Sequence, residues 1–373
     1  MKYWRGYLVA AILAACTWGF REFAQTHSKL VDMVYPYVTR MVQTYMAGWS
    51  SGVEFCLWQA ILLALGVAGV ASIVLMIIFK WNPIQWFGWI LSVASLILLL
   101  HTGVFGMNEF AGPIAEDIRL GEIEYDDEKL EAAAVYYRDK ANSLSGSRSS
   151  ADLKKLNEQA VSGFAHLVYD HYYSVFAGST LPVKELGMAE QFTNRGQMGY
   201  TVAITGEAAV NMDAPAFMHP FAVSREMCYR MCIASNRDKH FGAFLACQAN
   251  DAPPFQYAGY LMAYRYCLNA LPQSVASTVN AQANSQVRED VDTWDAFVAP
   301  AENLAAEKAA KEGLEDTTNS EIAELLTRWH YQEVVIPSIT EPEVEFDPMD
   351  ETQVDLTGLP HIPDPTEPTE AAA

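Results

Sequence analysis

The sequence predicts a mainly α-helical fold, in which N-terminal transmembrane helices precede a mostly helical domain with a small β element. Three apolar segments lie within the first 104 of the 373 residues, and helical periodicity recurs through most of the rest. Residues 198–213 instead alternate apolar and small side chains, which predicts a strand or hairpin. The net charge is +3 in residues 1–104 and −24 in residues 105–373. We therefore expect a membrane region joined to an acidic domain.

Three transmembrane spans are predicted, at about residues 4–20, 53–79 and 84–105. The second and third are nearly free of charge and reach the ~20 apolar residues that a bilayer core requires. Lys and Arg are equally frequent on the two sides, so they do not orient the chain. Three spans that start from a cytoplasmic N-terminus place the acidic domain outside. We expect a multi-pass protein of the cell membrane with an extracytoplasmic domain.

The first apolar segment has two further interpretations. It would serve as a cleaved signal, or "LAAC" at residues 13–16 would be a lipoprotein processing site at which Cys16 is acylated. Apolar residues continue beyond this tetrapeptide through Trp18, Phe20 and Phe23. That continuation favours a membrane span.

The segment between the first two spans, about residues 29–49, is predicted to form an amphipathic helix. Pro36 is expected to begin or kink this helix. The helix lies either on the membrane face or against the acidic domain, and the pattern leaves both open. Its apolar side consists of Leu30, Met33, Val34, Tyr37, Met41 and Tyr45, and its polar side of Asp32, Thr39, Arg40, Gln43 and Thr44.

The domain is predicted to span residues 105–340. Several helices are expected there, among them two separate helices at residues 286–297 and 300–311. Residues 341–373 contain ten acidic residues, six prolines and no Lys or Arg, which predicts a disordered acidic tail. Because phosphate binding requires a basic surface, the charge excludes nucleic acid as a partner. The expected partners are the membrane and a peptide or protein.

A series of short motifs follows in residues 198–271. This series resembles a bacterial three-span membrane family of unknown function, the DUF3810 family, whose members are taken to be zinc metallopeptidases with an H-E-x-x-H motif. The resemblance implies a zincin-like, metallopeptidase-like domain after the spans, with zinc in active members. The motifs are "TGEAAVNMD", "PF", "SREMCYRMCIASNRDKHF", "AFLAC", "YAGYL" and "CLNAL".

The motif that would bind zinc is degenerate. Arg225 and Tyr229 stand at its two histidine positions, while Glu226 keeps the general-base position. Asn236 and Asp238 stand where the family has two glutamates, either of which would supply a third ligand. An arginine offers no lone pair to a metal, so ordinary zinc hydrolysis is not expected and no cofactor is predicted. We predict instead that Arg225 pairs with Asp238 or Glu226.

A second hypothesis places a metal on thiolates. Cys228 and Cys232 repeat the i, i+4 spacing of the lost histidines, and Cys247 or His240 of the next helix would complete a site. Cys232 also replaces the glycine of the family motif. The simpler interpretation is that these thiols are small buried core residues.

Together these features predict a pseudoenzyme. It would be a membrane-anchored peptidase homologue that has lost its metal and keeps a cleft for a peptide or protein. The strand in "TGEAAVNMD" is the expected place for peptide strand addition. Two alternatives are an active metallopeptidase with atypical ligands and a non-enzymatic membrane scaffold.

Overall fold

Four long helices form the N-terminal part of the computed structural model, which describes residues 4–148 and 152–337. Three of them are long and apolar enough to cross a membrane, so the prediction of three apolar N-terminal helices is confirmed. The first continues past Cys16, which is exposed on it. The helices are α1 (Arg5–Thr26), α2 (Ser28–Ser50), α3 (Leu57–Ile78) and α4 (Pro83–Val104).

Helices α1 and α4 pack side by side in parallel. Gly6 near the start of α1 meets Gly88 near the start of α4, and a Cβ on Gly6 would lie 2.5 Å from the Gly88 carbonyl carbon. The Ser92 hydroxyl donates to the Gly6 carbonyl at 2.7 Å. Small residues and a hydroxyl hydrogen bond are the usual means by which membrane helices approach closely. Because the domain follows α4 in the chain and α1 runs parallel to α4, the C-terminal ends of both helices lie on the same side as the domain.

Helix α2 turns its polar side inward. Thr39, Arg40 and Gln43 are buried against the domain, whereas Met41 and Tyr45 are about three-quarters exposed. Gln43 donates to the Ala203 carbonyl at 2.9 Å, and Arg40 donates to the Ser174 carbonyl at 2.6 Å. The helix thus packs against the domain, as one of the two predicted placements has it, and presents an apolar side outward.

The prediction for Pro36 was wrong in one respect, because α2 begins eight residues earlier, at Ser28. The prediction of two helices around Pro300 was also wrong. A single helix runs from Ser285 to Lys311 with Pro300 inside it. The fixed φ of proline is compatible with a helix, and the buried side chains Trp294 and Val298 hold this helix against the core.

The domain is built from helices that surround one large core. Phe244, Tyr137 and Trp329 meet at its centre through edge-on ring contacts of 5.0–5.5 Å between Phe244 and the other two. The helices are α5 (Ile114–Asp117), α6 (Asp127–Leu144), α7 (Leu153–Leu167), α8 (Tyr173–Phe176), α9 (Ala189–Thr193), α10 (His219–Arg230), α11 (Asn236–Gln248), α12 (Pro253–Ala270), α13 (Gln273–Ala281), α14 (Ser285–Lys311) and α15 (Thr318–His330).

A three-stranded sheet is the small β element. Its strands are β1 (Lys184–Glu185), β2 (Gly199–Val202) and β3 (Glu207–Val210), in the order β1-β3-β2. The predicted hairpin is present, since β2 and β3 are antiparallel, while β1 joins β3 in parallel. The prediction that a peptide adds to the "TGEAAVNMD" strand was wrong, because that strand is β3 and both of its edges are already paired. The two outer edges of the sheet belong to β1 and β2.

The chain beyond residue 337 lies outside the described residues. The predicted acidic tail at 341–373 and the predicted domain boundary at 340 fall there.

Candidate ligand-binding cavity

A cavity of about 520 Å³ lies between the edge strand β2 and the helices α10, α11, α12 and α14. Among its lining residues are Arg225, Glu226, Tyr229, Asn236 and His240. Five of the six residues predicted around the degenerate motif, counting the alternative ligand His240, therefore share one cavity. Asp238 does not line it.

Glu226 lies at the base of the cavity and is 2 % exposed. Its Oε2 accepts a hydrogen bond of 2.6 Å from the Thr201 hydroxyl of β2, and its Oε1 accepts from Arg225. Gly199 of β2 makes this approach possible, because a Cβ there would lie 2.7 Å from the Glu226 Cγ. Both carboxylate oxygens of the general-base position are thus occupied by partners from the protein.

Arg225 joins Glu226 to His240. Its Nε donates to the His240 Nε2 at 3.0 Å, so this ring nitrogen carries no proton. The Nδ1 of His240 lies 2.7 Å from the Asn236 carbonyl oxygen and must be the protonated nitrogen that donates to it. Burial, reinforced by the Arg225 charge, holds the pKa of His240 well below its usual value. The imidazole is therefore neutral, and Thr201 completes a network that connects β2, α10 and α11.

Tyr229, at the second histidine position, packs against the membrane side of the domain. Its ring lies 4.6 Å from that of Phe105, centroid to centroid, just after α4. Burial raises the pKa of Tyr229 to about 12. The phenol is accordingly protonated at neutral pH, and a phenolate ligand would require a large perturbation.

Asp238 faces a different, much smaller space of about 50 Å³, which Asp32 and Asp117 also line. Its Oδ1 accepts from the Arg237 Nε at 2.9 Å, and its backbone N–H is capped by Ser235. Of the two predicted partners for Arg225, the structure brings Glu226 into contact and gives Asp238 a different arginine. Of the two former glutamate positions, only Asn236 lines the cavity.

The four residues of the thiolate hypothesis do not converge on one point. Cys247 donates to the Ser224 hydroxyl at 3.4 Å, whereas Cys232 lies with Phe105 and Ala203 near the membrane end. Cys228 is fully buried in the core. Within the described ranges, no group of three or more His, Cys, Asp or Glu residues is arranged to hold a metal ion. The residues that the sequence analysis assigned to a zinc site, Arg225 among them, do not fit a zinc ion.

Cys232 has a left-handed backbone, with φ of +71°. It follows the end of α10, where chains often need a residue with positive φ and usually place glycine. Backbone geometry therefore explains why the family motif has a glycine at this position. The Cys232 side chain is buried here, and its Cβ makes this backbone conformation energetically costly.

Two basic residues of the cavity wall, Lys239 and Arg265, were not singled out by the sequence analysis. Lys239 lies over the Tyr229 ring, with its Nζ 4.9 Å from the centroid. Burial, reinforced by the neighbouring Arg225 charge, lowers the pKa of Lys239 to about 7. Arg265 also lines the cavity and donates to both oxygens of Glu302, at 2.9 and 3.0 Å. Lys239 directly follows Asp238 but belongs to no recognisable motif, so its place in the cavity can be seen only in the folded structure.

Glu207, inside the "TGEAAVNMD" motif, connects the sheet to the membrane region. Its two oxygens accept the backbone N–H groups of Leu57 and Trp58 at the start of α3, at 2.8 and 2.9 Å. Lys184 of β1 forms a 2.6 Å ion pair with the same carboxylate. A helix N-terminus with an anionic cap is a favourable arrangement. The side wall of the cavity is therefore fixed to a candidate membrane span.

The fold and the cavity define a membrane protein with candidate N-terminal spans and a mainly helical domain whose cavity contains an arginine–glutamate pair. A sequence model of the family described as "Protein of unknown function (DUF3810)" matches residues 31–314. The chain belongs to this family. The search of curated proteins and the search of solved structures each found no match.

Proposed function

We propose that the chain is a catalytically inactive, zincin-like member of its family that binds an extended peptide in the cavity. The observation that carries this proposal is the Arg225–Glu226 pair beside the free edge of β2. A guanidinium stands where a metal ligand would be needed, and the carboxylate that would activate a water is held by Arg225 and Thr201. Without a metal or a free base, the cavity is suited to binding.

The edge of β2 supports a peptide as the ligand. The Asn211 N–H donates to the Met198 carbonyl at 2.9 Å. From this pair onward, hydrogen-bonded and non-hydrogen-bonded residue pairs alternate along the two antiparallel strands. The backbone groups of Gly199 and Thr201 are consequently directed to the unpaired edge, beside the cavity. An extended peptide gains main-chain hydrogen bonds by adding to such an edge. A volume of about 520 Å³ is within the range of small ligand pockets and suits a few residues.

The membrane anchor belongs to the same proposal. His101, in the last turn of α4, lines the cavity, so a bound peptide would lie close to the membrane surface. The parallel arrangement of α1 and α4 favours opposite sides for the N-terminus and the domain. With a cytoplasmic N-terminus, the domain is extracytoplasmic, and the natural ligand is a segment of a secreted or membrane-bound chain. Reporter fusions after residues 80 and 337 test this orientation.

Peptide binding is tested on the full chain in detergent micelles with a pool of randomised, N-acetylated tetrapeptides. The substitution Ala305→Trp places a large side chain in the cavity wall on α14, and Ala306→Trp adds the same side chain at an exposed neighbouring position outside the wall. We expect wild type and A306W to bind the pool, A305W to lose at least about tenfold in affinity, and every peptide to remain intact. Equal binding by A305W, or cleavage that a chelator stops, would contradict the proposal.

A further inference from the structure

Among the described residues, the cavity wall contains one lysine or arginine that forms no ion pair with a carboxylate. Arg225 is paired with Glu226, and Arg265 is paired with Glu302 and with Asp295. The remaining carboxylate of the wall, Asp316, accepts the Thr318 N–H at 3.1 Å. No hydrogen bond or ion pair reaches Lys239 Nζ from residues 4–148 or 152–337.

The surroundings of Lys239 make this arrangement costly. Its amine lies over the Tyr229 ring at 4.9 Å, near the Arg225–Glu226 pair, whose two charges act on it in opposite directions. An ammonium group withdrawn from water loses solvation, and a π face replaces only part of it. An anion bound beside this amine would supply the ion-pair partner that the described residues do not.

We propose that Lys239 forms a subsite for a carboxylate of the bound peptide, either its C-terminal carboxylate or an Asp or Glu side chain. This inference rests on the proposed peptide-binding function and adds the chemistry that selects the ligand. Two features of the wall support a carboxylate at this point. Lys239 is the one lysine or arginine of the wall without an ion pair to a carboxylate in the described chain, and it shares the wall with Thr201 of the edge strand β2. A peptide added to β2 therefore passes within the cavity that contains this amine.

A lysine suits this role better than the arginines of the same wall. The guanidinium groups of Arg225 and Arg265 are each held by hydrogen bonds to two side chains. Arg225 contacts His240 and Glu226, and Arg265 contacts Asp295 and Glu302. The lysine amine has three rotatable donors and no such contact, so it can turn toward a ligand without breaking an existing ion pair. Ligand binding at Lys239 consequently leaves the Arg225–Glu226 pair intact.

The experiment uses three pools of N-acetylated tetrapeptides on the full chain in micelles. The first has free C-termini and no Asp or Glu, the second has the same sequences as amides, and the third has amides with one Asp or Glu per peptide. Each pool is titrated against wild type and against Lys239→Met, which keeps the length of the side chain and removes its charge. Lys311→Met, at an exposed position of α14, is the matched control.

We expect the first or third pool to bind wild type and K311M at least about tenfold more tightly than K239M. Whichever of these two pools shows the effect identifies the source of the carboxylate. A different result would overturn the carboxylate subsite and leave the proposed peptide cleft intact. In that case the second pool, which has no carboxylate, would bind equally to all three proteins, and neither the first nor the third pool would bind more tightly than the second. Absence of binding by any pool to wild type overturns the cleft and the subsite together.

Discussion

The Glu207 carboxylate accepts the backbone N–H of Leu57 at 2.8 Å and so caps a candidate membrane helix from within the sheet of the domain. The two residues are 150 positions apart in the chain. The same strand that carries Glu207 pairs with β2 at the cavity. Through this contact, the position of α3 and the position of the cavity wall depend on each other.

Replacing Glu207 by Gln should destabilise the chain by about 2–3 kcal/mol, because it weakens two charge-assisted hydrogen bonds and a buried ion pair. Glu185→Gln is the matched control, since Glu185 is exposed on the neighbouring strand β1. Thermal unfolding in the same detergent compares the two. A melting temperature for E207Q equal to that of E185Q would mean that the capping contact has no structural role.

Arg225 should stabilise the fold by neutralising Glu226. Arg225→Met leaves a buried carboxylate with only Thr201 as a partner, and we expect a loss of about 2–3 kcal/mol, less than for a fully buried pair because Arg225 is partly exposed. The double variant Arg225→Met/Glu226→Gln should recover more than half of this loss. Chemical unfolding of the three proteins measures it. If the single variant were as stable as wild type, the pairing account would be wrong.

Lys239 should make the free energy of unfolding increase as the pH rises from about 7 toward 10. Its pKa is lowered from 10.5 to about 7 in the folded chain, so the unfolded chain holds the extra proton between these values. Folding is therefore penalised below pH 7, and the penalty disappears as the pH rises toward 10. Lys239→Met should raise the melting temperature at pH 6 by a few degrees, roughly, and have little effect near pH 10. A difference that is constant across this range would contradict the shifted amine.

Cys232 should be strained by its backbone. Cys232→Gly and Cys232→Ala both remove the sulfur, but only glycine adopts φ of +71° without a Cβ penalty. We expect the glycine variant to be more stable than the alanine variant by about 1 kcal/mol. Equilibrium unfolding of the pair isolates the backbone term. An alanine variant that is equally stable would show that this helix end tolerates a side chain freely.

Helix α2 should have its outward side in lipid. A nitroxide attached at Met41→Cys, in a variant without the exposed native thiol of Cys16, should be accessible to oxygen in vesicles, while one at Lys29→Cys should be accessible to a water-soluble relaxation agent. Power-saturation spectroscopy measures both. Greater accessibility of position 41 to the aqueous agent would remove the helix from the membrane surface.

The membrane helices and the hairpin could be predicted from the sequence, because length, hydropathy and alternation are local properties. The inward polar side of α2 could not, since Gln43 and Arg40 are buried by partners more than 130 residues away. The cavity was anticipated only in part. Motif spacing identified Arg225 and Glu226. Whether Asn236 or Asp238 lines the cavity depends on the rotation of α11 relative to α10, which the motif does not specify. Lys239 and Glu207 acquire their roles only from the folded arrangement.

We propose that this cavity functions without a metal, and zinc content by plasma mass spectrometry is the most direct test of that claim. The full chain is purified beside the variant Arg225→His/Tyr229→His/Asn236→Glu, which restores the family pattern at the positions that line the cavity. We expect no stoichiometric zinc in the natural chain and about one zinc ion per chain in the variant. About one zinc per natural chain would contradict the claim, and a variant without zinc would contradict the assignment of these ligand positions.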